Sequence, residues 1–143
     1  MNHKINLELI SLAKEKITNI QKKITLSYKI DKNLILTIKT STKIEIKDYK
    51  HTVSNFEIRH ALLKHSKDPL PLTEKDIGLI PDIIKNYDEI KLSKKTRTGL
   101  NAIMYIKHYN SFTYYIEEIR TGKRELAFKT MYKNKTPGTK DAL

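Results

Sequence analysis

The last third of the chain constrains the fold most, because its hydrophobic pattern becomes strand-like there. Four runs are rich in β-branched and aromatic residues, and turn sequences separate them. The runs are EIKLS, LNAIMYIKHY, FTYYIEEIR and RELAFKTMYK, and the turns are KKTRTG, NS and TGK. Because short turns join neighbouring antiparallel strands, this part of the sequence predicts a four-stranded antiparallel meander.

Two helical segments precede the meander. Ser54 or Thr52 can cap a first helix that runs to about Lys67, where an Asp-Pro-Leu-Pro sequence ends it. Thr73 can cap a second helix with the sequence EKDIGLIPDIIKN. Pro81 lies inside this second helix, so the sequence predicts that the helix is kinked or divided.

The first fifty residues predict a helix followed by strands. Apolar residues recur at helical spacing from Ile5 to Ile24. The runs ITLSYKI, LILTIKT and KIEI are typical of strands, with a turn at DKN, so a short hairpin or three-stranded segment is expected. The predicted class is α+β in one compact unit, with an N-terminal extension at 1–50, a core at 51–133 and a flexible tail at 134–143.

Composition narrows the classes of function. The chain has 28 lysines and arginines against 16 acidic residues, a formal charge of +12, which favours nucleic acid or an acidic protein as partner. An AT-biased genome would produce a similar lysine-rich composition. The absence of cysteine excludes disulfides, thiolate nucleophiles and cysteine-based zinc sites. No apolar run approaches the roughly 20 residues of a membrane-spanning helix.

Two histidines, His60 and His65, lie five positions apart in the first predicted helix of the core. Residues at this spacing point about 140° apart on a helix, so the two rings cannot share one face. Metal-binding pairs on helices normally sit at i and i+4, and we therefore expect no metal site. Both histidines could equally be packed in the core or at its rim.

The side chains of the predicted sheet suit metal-independent RNA cleavage. This reaction needs groups that move protons and donors that hold the phosphate. Histidine can do the first, and lysine, tyrosine and threonine can do the second. Glu117 is a further candidate base, although an acidic pair on a strand is more often solvated.

Several motifs together resemble one family. The segments IRHALLKHS, PLTEKDIGLIPDIIKNYDEI, AIMYIKHY, YYIEEIR and ELAFKTMYK are similar to the phage-associated barnase–EndoU–colicin E5/D–RelE-like nucleases of the BECR fold. The resemblance covers about Ser54 to Tyr132. It implies helices packed on an antiparallel four-stranded sheet, an active cleft between helices and sheet, and catalysis without a cofactor.

The resemblance also implies site residues. His60 and His65 match the helix histidines, and Lys129, Thr130 and Tyr132 match a motif on the last strand. Strand alternation would place Thr130 and Tyr132 on the same face as Leu126 and Phe128, and Lys129 on the other face unless a bulge turns it. The expected catalytic set is therefore His60, His65, Thr130 and Tyr132. The expected substrate-binding set is Lys129, Lys107, Tyr105, Arg97, Arg120 and Arg124.

The function expected on these grounds is a metal-independent endoribonuclease of a toxin or phage-associated type. It would cleave RNA, tRNA being one candidate, by attack of the 2′-hydroxyl with help from a histidine. An acidic antitoxin or immunity protein would be its partner, and it would act in the cytoplasm after delivery to a target cell or carriage by a phage. The alternatives are a non-catalytic module that binds nucleic acid or serves as a phage structural component, and an ADP-ribosyl transferase on a similar scaffold.

Overall fold

In the part of the chain that the structure describes, helices pack with one sheet, as the α+β prediction requires. The computed structural model describes residues 3–14, 22–95 and 99–135. The helices are α1 His3–Lys14, α2 Lys32–Thr42, α3 Asn55–Lys64, α4 Glu74–Gly78 and α5 Ile80–Lys85. The strands are β1 Thr25–Lys29, β2 Lys50–Ser54, β3 Glu89–Lys95, β4 Asn101–His108, β5 Phe112–Arg120 and β6 Glu125–Lys135.

The described sheet has six strands in the order β1-β2-β6-β5-β4-β3. Strands β3 to β6 form the predicted antiparallel meander. The expectation of a four-stranded sheet is wrong, because β2 pairs in parallel with the start of β6 and β1 pairs antiparallel with β2. The edge of the meander is therefore extended by two short strands.

The N-terminal region differs most from the prediction. The run LILTIKT is α2 and not a strand, since the Asp31 side chain accepts a hydrogen bond from the amide of Asn33 and Leu34 and Ile38 are buried one turn apart. The run KIEI is not a strand, so no local hairpin or three-stranded segment forms. The predicted first helix ends at Lys14 within the described residues; positions 15–21 lie outside them, and residues 22–24 are not helical.

The two helical segments before the meander follow the sequence signals closely. Ser54 caps α3, and Thr73 forms a capping box with Asp76 at the start of α4. The second segment is divided, as predicted, into α4 and α5, with Pro81 in the first turn of α5. Gly78 ends α4 where a Cβ atom would collide with the side chain of Ile10, so α1 packs directly against α4.

One face of the sheet carries the hydrophobic core, and we call it the core face. Its central side chains are fully buried, including Ile103 and Tyr105 of β4, Ile116 of β5 and Met131 of β6. Ile58 and Ala61 of α3 and Leu9 of α1 belong to the same core, so the helices cover this face. The opposite face, called the second face here, carries more polar side chains, among them Glu117 and Thr130 of paired strands.

A buried carboxylate fastens α4 to the core face. Asp76 accepts hydrogen bonds from the Tyr114 hydroxyl and from Lys133 Nζ, the latter at 2.9 Å. Burial alone would raise the pKa of Asp76, but the hydrogen bonds from Tyr114 and Lys133 outweigh it and hold the pKa below its ordinary value. Ionised Asp76 therefore stabilises the folded state.

Replacing Asp76 with asparagine should lower the free energy of unfolding at pH 7 by about 2 kcal/mol, because charge-assisted hydrogen bonds are lost. The contribution of a carboxylate with a depressed pKa is present above its ordinary value of 3.8 and is lost as the pH falls further through the folded value. Urea unfolding at pH 7 and pH 3 measures this. The difference between wild type and variant should shrink at pH 3, and an unchanged difference would contradict the assignment.

Candidate active site

A β-bulge interrupts the pairing of β5 and β6. Glu118 lies opposite Phe128, but its neighbour Glu117 lies opposite Thr130. Lys129 is therefore the extra residue of β6. A bulge of this kind bends the strand and changes the face to which the following side chains point.

The bulge overturns the expected face of the last strand. Because directly opposed residues share a face, Phe128 belongs with Glu118 on the core face, whereas Thr130 and Tyr132 lie on the second face. The prediction that alternation continues from Phe128 to Tyr132 is wrong, since Met131 takes the core position instead. Tyr132 still lies against a helix, because His65 at the end of α3 stacks on its ring.

The same bulge brings Lys129 to the second face. Its Nζ atom lies 3.6 Å from Oε1 of Glu117. The Lys129 side chain is 40% exposed, whereas that of Glu117 is only 12% exposed. The sequence predicts that Lys129 lies away from Thr130 unless a bulge turns it, and the bulge does turn it. The Lys129 ammonium group lies beside a carboxylate on the face that carries Thr130.

An aromatic row crosses this face from β5 to the end of α3. The rings of Tyr115 and Tyr132 stack with centroids 4.8 Å apart, and the rings of Tyr132 and His65 stack at 5.3 Å. Burial, with smaller effects of the charge of Glu117 and of Tyr115, raises the pKa of Tyr132. The Tyr132 phenol therefore stays protonated at neutral pH and remains a hydrogen-bond donor.

His65 is held in one defined orientation. It follows the last residue of α3, and its Nδ1 atom lies 2.8 Å from Oδ2 of Asp68. A carboxylate only accepts hydrogen bonds, so Nδ1 donates and Nε2 of the neutral ring carries the free lone pair. Asp68 thus plays an orienting role, and Nε2 is the atom of His65 that is able to accept a proton.

Two buried polar atoms of this region have no hydrogen-bond partner among the described residues: Nε2 of His65 and Oγ1 of Thr130. Buried polar groups are normally satisfied, so each exception needs an explanation, and a ligand that completes the hydrogen bonds is one such explanation. Both residues neighbour Tyr132: the His65 ring stacks on it, and Thr130 precedes it by two positions on the same strand face. For its candidate role, we call the group consisting of His65, Tyr115, Glu117, Lys129, Thr130 and Tyr132 the catalytic cluster.

The structure brings together three of the four residues predicted to be catalytic, namely His65, Thr130 and Tyr132. His60 is exposed on α3 and does not join them. Of the predicted binding residues, Lys129 belongs to the cluster, whereas Arg120 and Arg124 lie at the end of β5 and in the turn before β6.

The remaining predicted binding residues lie elsewhere. Tyr105 is completely buried on the core face and donates a hydrogen bond to Glu118 at 2.7 Å. Lys107 is paired with Asp88 at 3.5 Å, and its register with Tyr114 places it on the core face. Arg97 lies outside the described residues.

Sequence reasoning missed a buried polar network on the core face. Nδ1 of His51 lies 2.7 Å from Oε2 of Glu118, whose other oxygen accepts from Tyr105. His51 and Glu118 are 2% and 0% exposed, and Tyr28 packs against the ring of His51. The one signal was the adjacent pair of glutamates, Glu117 and Glu118, because one of two neighbours in a central strand must point into the core.

Within the ranges 3–14, 22–95 and 99–135, no cluster of three histidine or acidic side chains is arranged to hold a metal ion. In the same ranges, no helix has the length and apolar character that crossing a membrane requires.

Comparison with known proteins gives one match. A family model described as phage-Barnase-EndoU-ColicinE5/D-RelE like nuclease3 matches residues 28–142. No curated protein and no solved structure gives a significant match. The matched region begins inside β1 and includes every residue of the catalytic cluster.

Proposed function

Because the chain belongs to the phage-Barnase-EndoU-ColicinE5/D-RelE-like nuclease family, we propose that it is a metal-independent endoribonuclease and that the catalytic cluster is its active site. The observation that carries the proposal is the pair of unsatisfied buried atoms, His65 Nε2 and Thr130 Oγ1. A proton acceptor and a hydroxyl donor without protein partners are what a phosphodiester and its neighbouring hydroxyl would satisfy.

His65 acts as the base in this proposal. Its Nε2 atom removes the proton of the ribose 2′-hydroxyl, and the 2′-oxygen forms a bond to phosphorus. The bond from phosphorus to the 5′-oxygen breaks, and the leaving oxygen gains a proton from water. The products are a 2′,3′-cyclic phosphate and a free 5′-hydroxyl.

The other residues of the cluster stabilise the charge that develops on the phosphate. The Tyr132 phenol keeps its proton because its pKa is raised, so it donates to a phosphate oxygen, as does the hydroxyl of Thr130. Lys129 supplies a positive charge that Glu117 holds in place. Fixed hydrogen-bond donors placed where charge develops make the largest contribution to lowering the activation barrier in many enzymes.

The formal charge of +12 supports RNA as the substrate. The same charge equally supports an acidic protein inhibitor as partner. The proposal also includes that the protein acts as a toxin and that it acts in the cytoplasm. The binding module without catalysis is the rival, because the same charge and the same cluster would also hold RNA that is not cleaved.

Incubation of the purified protein with total RNA and with tRNA in EDTA tests the proposal. We expect cleavage in EDTA, products that end in a 2′,3′-cyclic phosphate, and resistance of an oligonucleotide with 2′-deoxyribose at every position. RNA that stays intact across pH 5 to 9 (roughly the range in which histidine changes charge) while it binds the protein would support the rival module.

A further inference from the structure

A groove on the second face adjoins the catalytic cluster. It has a volume of about 400 Å³ and is lined by β1, β2, the turn before β6 and the first turn of α3. Three of its lining residues are the exposed lysines Lys23, Lys50 and Lys123, and we call it the lysine groove. The proposed function assigns no task to it.

The register of the strands joins the lysine groove to the catalytic cluster. Thr52 of β2 lies beside Ala127 of β6, and both line the groove. Ala127 lies opposite Ile119, two positions from Glu117 in β5, so the floor of the groove and the cluster share the second face. The main chain amide of Lys50 donates to the carbonyl of Arg124 at 3.2 Å, which fixes the turn that carries Lys123 beside β2.

The chemistry of the lysine groove matches that of a nucleotide. Ammonium groups pair with phosphate oxygens, and serine and threonine hydroxyls, here including Thr25 and Ser27, are common partners of phosphate and ribose. Glu57 also lines the groove, and its carboxylate can accept from a ribose hydroxyl or a base amino group. The groove therefore offers partners for each part of a nucleotide.

The lysine groove and the catalytic cluster lie at opposite ends of α3. Glu57 lies in the first turn of α3 and His65 follows its last residue, so the helical rise separates them by about 12 Å along the axis. This length is short enough for the same RNA strand to occupy both. We propose that the lysine groove binds the RNA nucleotides next to the cleaved bond, with Lys50 and Lys123 each paired with its own backbone phosphate. This inference rests on the proposed function.

Binding of a non-cleavable probe tests the groove separately from catalysis. The probe is a single-stranded 2′-O-methyl RNA with a fluorescent label, and its Kd is measured at several salt concentrations. The variant with Lys50→Ala and Lys123→Ala together should bind about tenfold more weakly, and its salt dependence should have a slope smaller by about 1.4. The matched control carries Lys32→Ala and Lys85→Ala, which remove two exposed lysines from a different pocket.

The outcomes separate the groove from the proposed function. Equal Kd values and equal salt slopes for the two double variants would overturn the role of the groove, whether or not the wild type cleaves RNA. A selective loss in the groove variant supports the inference. Failure of the wild type to cleave RNA would instead overturn the proposed function. Where the wild type cleaves, the groove variant should raise KM by a similar factor and leave kcat within about twofold of the wild-type value.

Discussion

The variant His65→Ala should cleave RNA about 10² to 10⁴ times more slowly than the wild type, with the loss in kcat. The reason is the loss of Nε2, the proton acceptor that Asp68 orients. His60→Ala should cleave at nearly the wild-type rate, because His60 is exposed and outside the catalytic cluster. The two histidines of the same helical segment are thus expected to differ by at least about 10²-fold in effect.

Single-turnover cleavage of a labelled RNA measures both variants, and thermal unfolding measures their stability. His65→Ala removes a ring that stacks on Tyr132, so a modest loss of stability is expected and does not by itself explain a loss of activity. Asp68→Ala keeps this ring but frees its Nδ1 atom, and we expect an intermediate rate. Equal activity of His65→Ala and wild type would contradict the assigned base, and a dominant effect of His60→Ala would move the site to the other side of α3.

The parts of the fold that local signals specify could be predicted from the sequence. The turns of the meander, the cap at Ser54, the capping box at Thr73 and the division at Pro81 all depend on neighbouring residues. Strand β2 depends on its partners in β1 and β6, and these pairings are distant in sequence. The β-branched residues of α2 indicate a strand by propensity, but burial of one helical stripe outweighs a preference of this size.

The candidate site could be predicted in composition but not in geometry. Sequence motifs selected His65, Thr130 and Tyr132, yet strict alternation assigned the last two to the core face. A single bulge at Lys129 reverses that assignment. No residue type near Lys129 predicts the bulge, because the bulge results from the register between two whole strands. The same register sends Glu117 and Glu118 to opposite faces, which makes them a natural pair for comparison.

Replacing Glu118 with alanine should lower the free energy of unfolding by about 3 to 5 kcal/mol, because buried hydrogen-bond donors that lose their acceptor each cost about 1 to 3 kcal/mol. Glu118 is completely buried and accepts from both His51 and Tyr105 at 2.7 Å. Its loss leaves two buried donors without a partner and a cavity beside them. Glu118→Gln should cost less, since the amide oxygen can still accept one of these hydrogen bonds.

The variant Glu117→Ala is the matched comparison for Glu118→Ala, because it removes the same side chain at the adjacent position on the second face. We expect it to lower RNA cleavage, since Lys129 loses the carboxylate that holds it. The free energy of unfolding should fall by about 1 to 2 kcal/mol, less than for Glu118→Ala, because the Lys129 ammonium group is 40% exposed and becomes hydrated when the carboxylate is gone. Urea unfolding and RNA cleavage are measured on both variants. Equal losses of stability would show that the two glutamates do not face different environments, and would contradict the division of the sheet into a core face and a second face.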